Sequence, residues 1–229
     1  MFGKIKKSGV RVSTLATTCS IDDLPYLEDI ERRRLKLYGP ILPTDTFASF
    51  SAGISTCADC ASHIIEYNEE DYGLPIEDRR PILLLIDSPG GDPTAGFHLI
   101  DTICLSDTPV ITINVGQCSS MAFLIMISGH GRYSYPSATF LMHDGSIFVN
   151  GTTNKVKDLI HFEDKLETEI IKPHVLRHSN MTSKKYDEVC SKEYYMTAKE
   201  ALADGFIEGV VSSLGIFTEK LSIKVNHNG

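Results

Sequence analysis

Three segments carry residue types whose spacing suits acyl-transfer chemistry. Gly116-Gln117-Cys118-Ser119-Ser120-Met121 follows an apolar run at 110–115 and opens another at 119–128. A serine at a strand-to-helix junction sits in a tight turn, with its hydroxyl at the end of the sheet. The backbone N–H groups that follow belong to a first helical turn, lack intrahelical partners, and can receive a negative oxygen. An acyl-transfer nucleophile needs that arrangement; a plain helix N-cap serine has the same sequence signature. Asp87-Ser88-Pro89-Gly90-Gly91 ends a second apolar run. Its paired glycines let a backbone N–H come close to a substrate, so neighbouring strand ends can supply a nucleophile and an oxyanion donor. The alternative is a simple strand-to-helix turn. His143 ends the apolar strand 138–142 and is the histidine placed at a strand end in this half of the chain. It suits a general base or a structural histidine. His98, His161, His174 and His178 fall in helical stretches among polar neighbours and are expected at the surface.

Other motifs point elsewhere. Cys57-Ala58-Asp59-Cys60, with His63 nearby, is a lone Cys-x-x-Cys with no second ligand pair at zinc spacing. It reads as mid-helix, where a redox motif would open a helix. No Gly-x-x-x-x-Gly-Lys-Ser/Thr occurs, so this sequence carries no P-loop of its own.

The elements that must position the candidates follow from pattern. Residues 82–86 and 110–115 are short apolar runs without alternation, as in strands buried on both faces. Helical periods follow them at 93–106 and 119–128, and a third strand is expected at 138–142. Strand, helix, strand, helix demands a parallel sheet with right-handed crossovers. A first strand is expected within 31–38, a helix over 45–68 and a surface loop over 68–80. Residues 152–179 have helical period with Val156, Leu159, Ile160, Leu166, Ile170 and Ile171 inward, and Pro173 should end or kink that helix. Shorter helices are expected at 182–190 and 198–204, and a hairpin over 210–225.

With 229 residues, 42% of them hydrophobic, the chain can bury a core without staples. No window approaches a membrane span. Thirty acids against 22 bases give a net charge of −8, which argues against a nucleic-acid coat. The six cysteines are scattered, as in a reducing compartment. Residues 1–21 carry Lys4, Lys6, Lys7 and Arg11 with no acid before Asp22: a mobile basic arm in a cytoplasmic protein, or an organelle transit segment.

Together, Ser88-Pro89-Gly90-Gly91, Thr94-Ala95-Gly96, Gly116-Gln117 through Ser120-Met121, Met142-His143, Met196-Thr197-Ala198-Lys199-Glu200-Ala201 and Asp204-Gly205-Phe206-Ile207 resemble the proteolytic subunits of the Clp protease (ClpP) family, over roughly residues 31–213. The resemblance implies an α/β fold of the ClpP/crotonase type, with stacked βαβ units and a protruding handle over about 144–180. It implies a single domain over 30–229, preceded by an arm over 1–29 that falls on the family's axial loops. Ser120 falls on the nucleophile, His143 on the general base, and Gly91 and Met121 on the backbone donors of the oxyanion hole. Glu193 occupies the place of the acid, where the family has aspartate. A serine endopeptidase without metal or cofactor is implied, assembled as two stacked heptameric rings or mixed with other Clp subunits, and fed unfolded polypeptide by an AAA+ unfoldase. The family also includes noncatalytic subunits that co-assemble with active ones, and the crotonase group shares the fold while using its oxyanion amides on acyl-CoA. Besides Glu193, the sequence departs from the family pattern at Ala122 (usually glycine), at Asp144-Gly145 (usually Gln-Pro), in the length of the 68–80 loop, and at Pro173 in the handle.

Overall fold

The computed structural model describes residues 29–43, 56–145 and 149–217. The expected N-terminal arm up to residue 28, the first part of the expected 45–68 helix and the second half of the expected 210–225 hairpin lie outside these residues; the described first half is no hairpin strand, since Leu214–Phe217 is a 3₁₀ turn.

Three parallel strands form the centre: β1 (Arg34–Tyr38), β2 (Ile82–Ser88) and β3 (Val110–Ser119). Helix α1 (Cys57–Glu70) lies between β1 and β2 in the chain, α2 (Pro93–Cys104) between β2 and β3, and α3 (Met121–Ile127) directly after β3. Local chemistry sets the helix starts. Thr56 and Asp59 form a reciprocal capping box for α1. Asp92 accepts the Ala95 N–H at 2.8 Å ahead of Pro93, whose missing N–H costs nothing at a first helical turn. The expected loop at 68–80 begins only after α1 has run through Glu70, and it contains a short 3₁₀ turn at Ile76–Asp78.

Beyond β3 the sheet forks. The first half of β3 pairs in parallel with β4 (Gly131–Ser134), which pairs in turn with β7 (Gly209–Val210). The second half, Gln117 to Ser119, pairs in parallel with β5 (Thr139–Met142). β6 (Tyr194–Thr197) then joins β5 antiparallel. The fork follows a bulge in β3: Ile86 pairs with Asn114, yet Ser88 pairs with Cys118. Buried Asn114 plugs the gap, donating to the Thr139 carbonyl at 2.9 Å and accepting the Gly116 N–H at 3.1 Å.

The core lies between the sheet and α1–α3. Ile82, Leu84 and Ile86 point into it with Ile64, Leu99, Ile103 and Phe123, while Leu83 and Leu85 cover the other face with Ile111, Ile113 and Val211. The period-2 alternation of β2 thus serves two apolar layers. Phe123 meets Phe206 edge-on, with ring centroids 4.9 Å apart.

The segment expected as a handle is a long helix in three parts: α4 (Thr153–Leu166), a π-helical segment (Glu167–Ile171) and α5 (Lys172–Arg177). Of the inward face expected for it, Ile171 packs against the core, and the rest does not. No residue of α4 is buried, and Ile160, Phe162 and Ile170 are exposed, because the helix stands away from the core. Pro173 does not end the helix either. A proline ring crowds the carbonyl four residues back in a regular α-helix, and here the turn before it is widened, with the Lys172 N–H donating to the Glu167 carbonyl five residues earlier. Two further α-helices follow among the described residues, α6 (Ser183–Cys190) and α7 (Ala198–Ala203), the latter with a Thr197/Glu200 capping box.

Candidate active site

Ser120 stands between β3 and α3 with φ 54° and ψ −125°, one of two non-glycine residues at positive φ among those described. A β-carbon at that angle is strained, and such strain is characteristic of functional turns. Backbone bonds on both sides hold it. The Ser120 N–H donates to the Leu141 carbonyl at 2.9 Å, and the Ser120 carbonyl accepts from the Phe123 N–H at 2.9 Å. All seven residues of α3 behind it are buried, so the turn cannot relax.

The Ser88–Gly91 loop packs directly on this turn. A β-carbon added to Gly90, at φ +90°, would lie 2.5 Å from the Ser119 carbonyl oxygen and 2.9 Å from Ser120 Cβ. Only glycine lets the two strand ends come so close. Gly91 forms an isolated parallel bridge with Ile41: the Ile41 N–H donates to the Gly90 carbonyl and the Asp92 N–H to the Ile41 carbonyl. In that pattern the Gly91 N–H faces away from Ile41, and among the described residues neither it nor the Met121 N–H is hydrogen-bonded. These are the two amides expected as oxyanion donors.

His143 follows β5 and Glu193 precedes β6. Met142 pairs with Tyr194 in the antiparallel ladder, so the next rung sets His143 opposite Glu193. Their side chains meet there, with His143 Nδ1 3.3 Å from Glu193 Oε1. The imidazole is largely shielded and the carboxylate half-exposed. Ser120 is tied by its own amide to Leu141, two residues before His143. No hydrogen bond joins the Ser120 hydroxyl to His143 among the described residues. Buried Cys118 is no rival nucleophile, since burial first, and the Asp87 charge after it, push its thiol well up.

The model of the Clp protease family matches residues 74–213, more than half of the chain. This chain belongs to the Clp protease family. A curated relative, the ATP-dependent Clp protease proteolytic subunit 1 of Frankia casuarinae, is 30% identical over 135 residues, which cover 58% of this chain and 62% of that protein. The chain therefore spans less than two thirds of the length of that curated relative. Its fold is the α/β ClpP/crotonase-like one, with a mostly parallel sheet and helices packed against it. No helix of the described residues is long and apolar enough to cross a membrane.

Some expectations need correction within this Clp protease fold. His174 and His178 are not surface residues. His174 Nε2 lies 3.1 Å from Ser128 Oγ and 3.2 Å from the Leu124 carbonyl, with its ring 4.4 Å from that of His178. Burial, followed by His178, lowers the His174 pKa to about 4. The Cys-x-x-Cys opens α1 instead of lying within it. Both thiols are nonetheless buried, with Cys57 pushed up to about 12, so they pack as small hydrophobes. Sequence reasoning missed Asp87 and Ile41. The Asp87 carboxylate accepts the Gln117 N–H at 3.0 Å and abuts Gly116, holding the bulge before the serine. Asp87 was legible as part of the Asp-Ser-Pro-Gly-Gly motif; Ile41 had no local signal.

Proposed function

We propose that the chain is a Clp-type serine endopeptidase subunit. In the reading we favour, the Ser120 hydroxyl gives its proton to His143 Nε2 and attacks the scissile carbonyl. The Gly91 and Met121 N–H groups hold the developing oxyanion, and His143 protonates the leaving amine. Glu193 accepts from Nδ1 of His143, which fixes the tautomer and stabilises the imidazolium. Water then repeats the sequence on the acyl-enzyme. The observation that carries this reading is the extra rung beyond β5 and β6, where Glu193 meets an imidazole two residues from the carbonyl that anchors Ser120. The remaining Ser120–His143 bond closes on substrate binding or assembly, as catalytic contacts in free enzymes often do.

Assembly belongs to the same proposal. The apolar residues of α4, Val156, Leu159, Ile160 and Leu166, find cover when handles of stacked heptameric rings interlock. An AAA+ unfoldase would deliver unfolded polypeptide, since this sequence has no P-loop. The test is labelling with a fluorophosphonate probe and hydrolysis of a fluorogenic peptide. Wild-type protein is expected to be labelled at Ser120. Ser120→Ala is expected to lose label and at least about 10³-fold in turnover, with its sedimentation unchanged. An unlabelled wild-type Ser120 in the assembled protein would mark a noncatalytic subunit instead.

A further inference from the structure

The widened turn of the handle has a second consequence. Glu167, its first residue, turns its carboxylate to α6: Tyr186 Oη donates to Glu167 Oε1 at 2.5 Å, and Cys190 Sγ lies 3.8 Å from the same oxygen. Tyr186 is buried, and burial first, then its bonds to Cys190 and Glu167, pushes its phenol far above the ordinary value, so it remains a donor. Cys190 is the last residue of α6, and the chain reaches Glu193 three residues later, with no regular structure between α6 and β6. Lys172, one residue past the π segment, adds an ion pair to Asp187 at 2.5 Å. The C-terminal end of α6 is thus pinned to the handle just before the segment that presents the carboxylate to His143.

We infer that Glu167 and Tyr186 are positioning residues for Glu193, through which the π-widened turn of the handle sets the distance between Glu193 and His143. This rests on the reading of Glu193 as the orienter of His143. A glutamate reaches one methylene further than an aspartate, so its carboxylate depends more on where the backbone before it is held. Pro173 supplies the fixed element. It keeps the turn wide, and the wide turn keeps Glu167 aimed at α6.

The experiment combines a structure with a mutant cycle, in the full-length assembled protein. Tyr186→Phe keeps the ring in the core, and Glu167→Leu keeps the bulk of the side chain while removing its acceptor. In crystal structures of both, Glu193 Oε1 is expected to withdraw beyond about 4 Å from His143 Nδ1, past hydrogen-bond reach. In hydrolysis of a fluorogenic peptide, each variant is expected to lose roughly 10-fold in kcat with KM unchanged. In a Glu193→Ala background the same substitutions are expected to cost nothing further, because the group they position is gone. An unmoved Glu193, or an equal loss in both backgrounds, overturns the inference. If wild-type protein hydrolyses no peptide but Glu193 still withdraws in the variants, the proposed function falls and the clamp stands. If wild-type protein is active and Glu193 stays in place, the clamp falls alone.

Discussion

Helices α3 and α4 make opposite use of apolar residues. All seven residues of α3 are buried in the subunit itself, whereas none of the fourteen in α4 is, although α4 carries Val156, Leu159, Ile160 and Leu166. The first helix is fixed by its own chain and can therefore hold Ser120 in a strained turn. The second has its apolar side only partly covered by the described residues, with Val156, Leu159 and Leu166 half-buried and Ile160 exposed. A strained turn needs a rigid support within its own chain, while a helix standing off the core can leave its stability to whatever it packs against.

The largest expected effect tests that contrast directly. In the isolated subunit, Phe123→Ala removes a fully buried ring from the core and should cost about 3–5 kcal/mol. Leu159→Ala on α4 should cost under about 1 kcal/mol there. Urea denaturation of both variants measures the difference, and equal losses would break the comparison.

Two glycines sharpen it. Gly90 and Gly145 have similar positive φ angles, +90° and +84°, but a β-carbon on Gly90 strikes the Ser119 carbonyl, and on Gly145 it meets none of the described residues within 4 Å. Gly145→Ala should cost only left-handed strain, about 1 kcal/mol. Gly90→Ala should cost about 2 kcal/mol more and shift the turn carrying Ser120, lowering peptide turnover by roughly 10²-fold. Thermal melts and peptide hydrolysis on the pair decide; similar behaviour of the two variants would mean the junction is not held tightly.

A pH-dependent effect lies at the joint between the two regions. His174 reaches Ser128 and the Leu124 carbonyl at the end of α3; His178 and Arg177 face it, while Arg132, Arg177 and His130 face His178. Its folded-state pKa, about 4, lies below the ordinary 6.5, so the unfolded chain binds the proton first. Stability from this group is full above about pH 6.5, is lost as the pH falls towards 4, and levels off below. The loss should be up to about 3 kcal/mol and should shrink in His174→Leu, with His178, also lowered, retaining the rest. Denaturation curves between pH 7 and 4 read the slope; an unchanged slope in the variant would remove His174 as the joint.

The sequence by itself determined the βα order, the apolar strands, the junction at Ser120 and the paired glycines at 90–91, because apolar period, caps and turn chemistry act over a few neighbouring residues. Short strands such as β4 and β6, of four residues each, carry too little pattern to be seen that way. Only the tertiary structure decided that β3 forks, that Ile41 bridges Gly91, that His174 is enclosed, that the Pro173 helix widens without breaking, and that Glu193 meets His143 on the rung beyond β5 and β6. The physical reason is sequence separation. Each of these depends on cross-strand or helix-to-core contacts between distant segments, and such contacts are set by the global packing and leave no local signature.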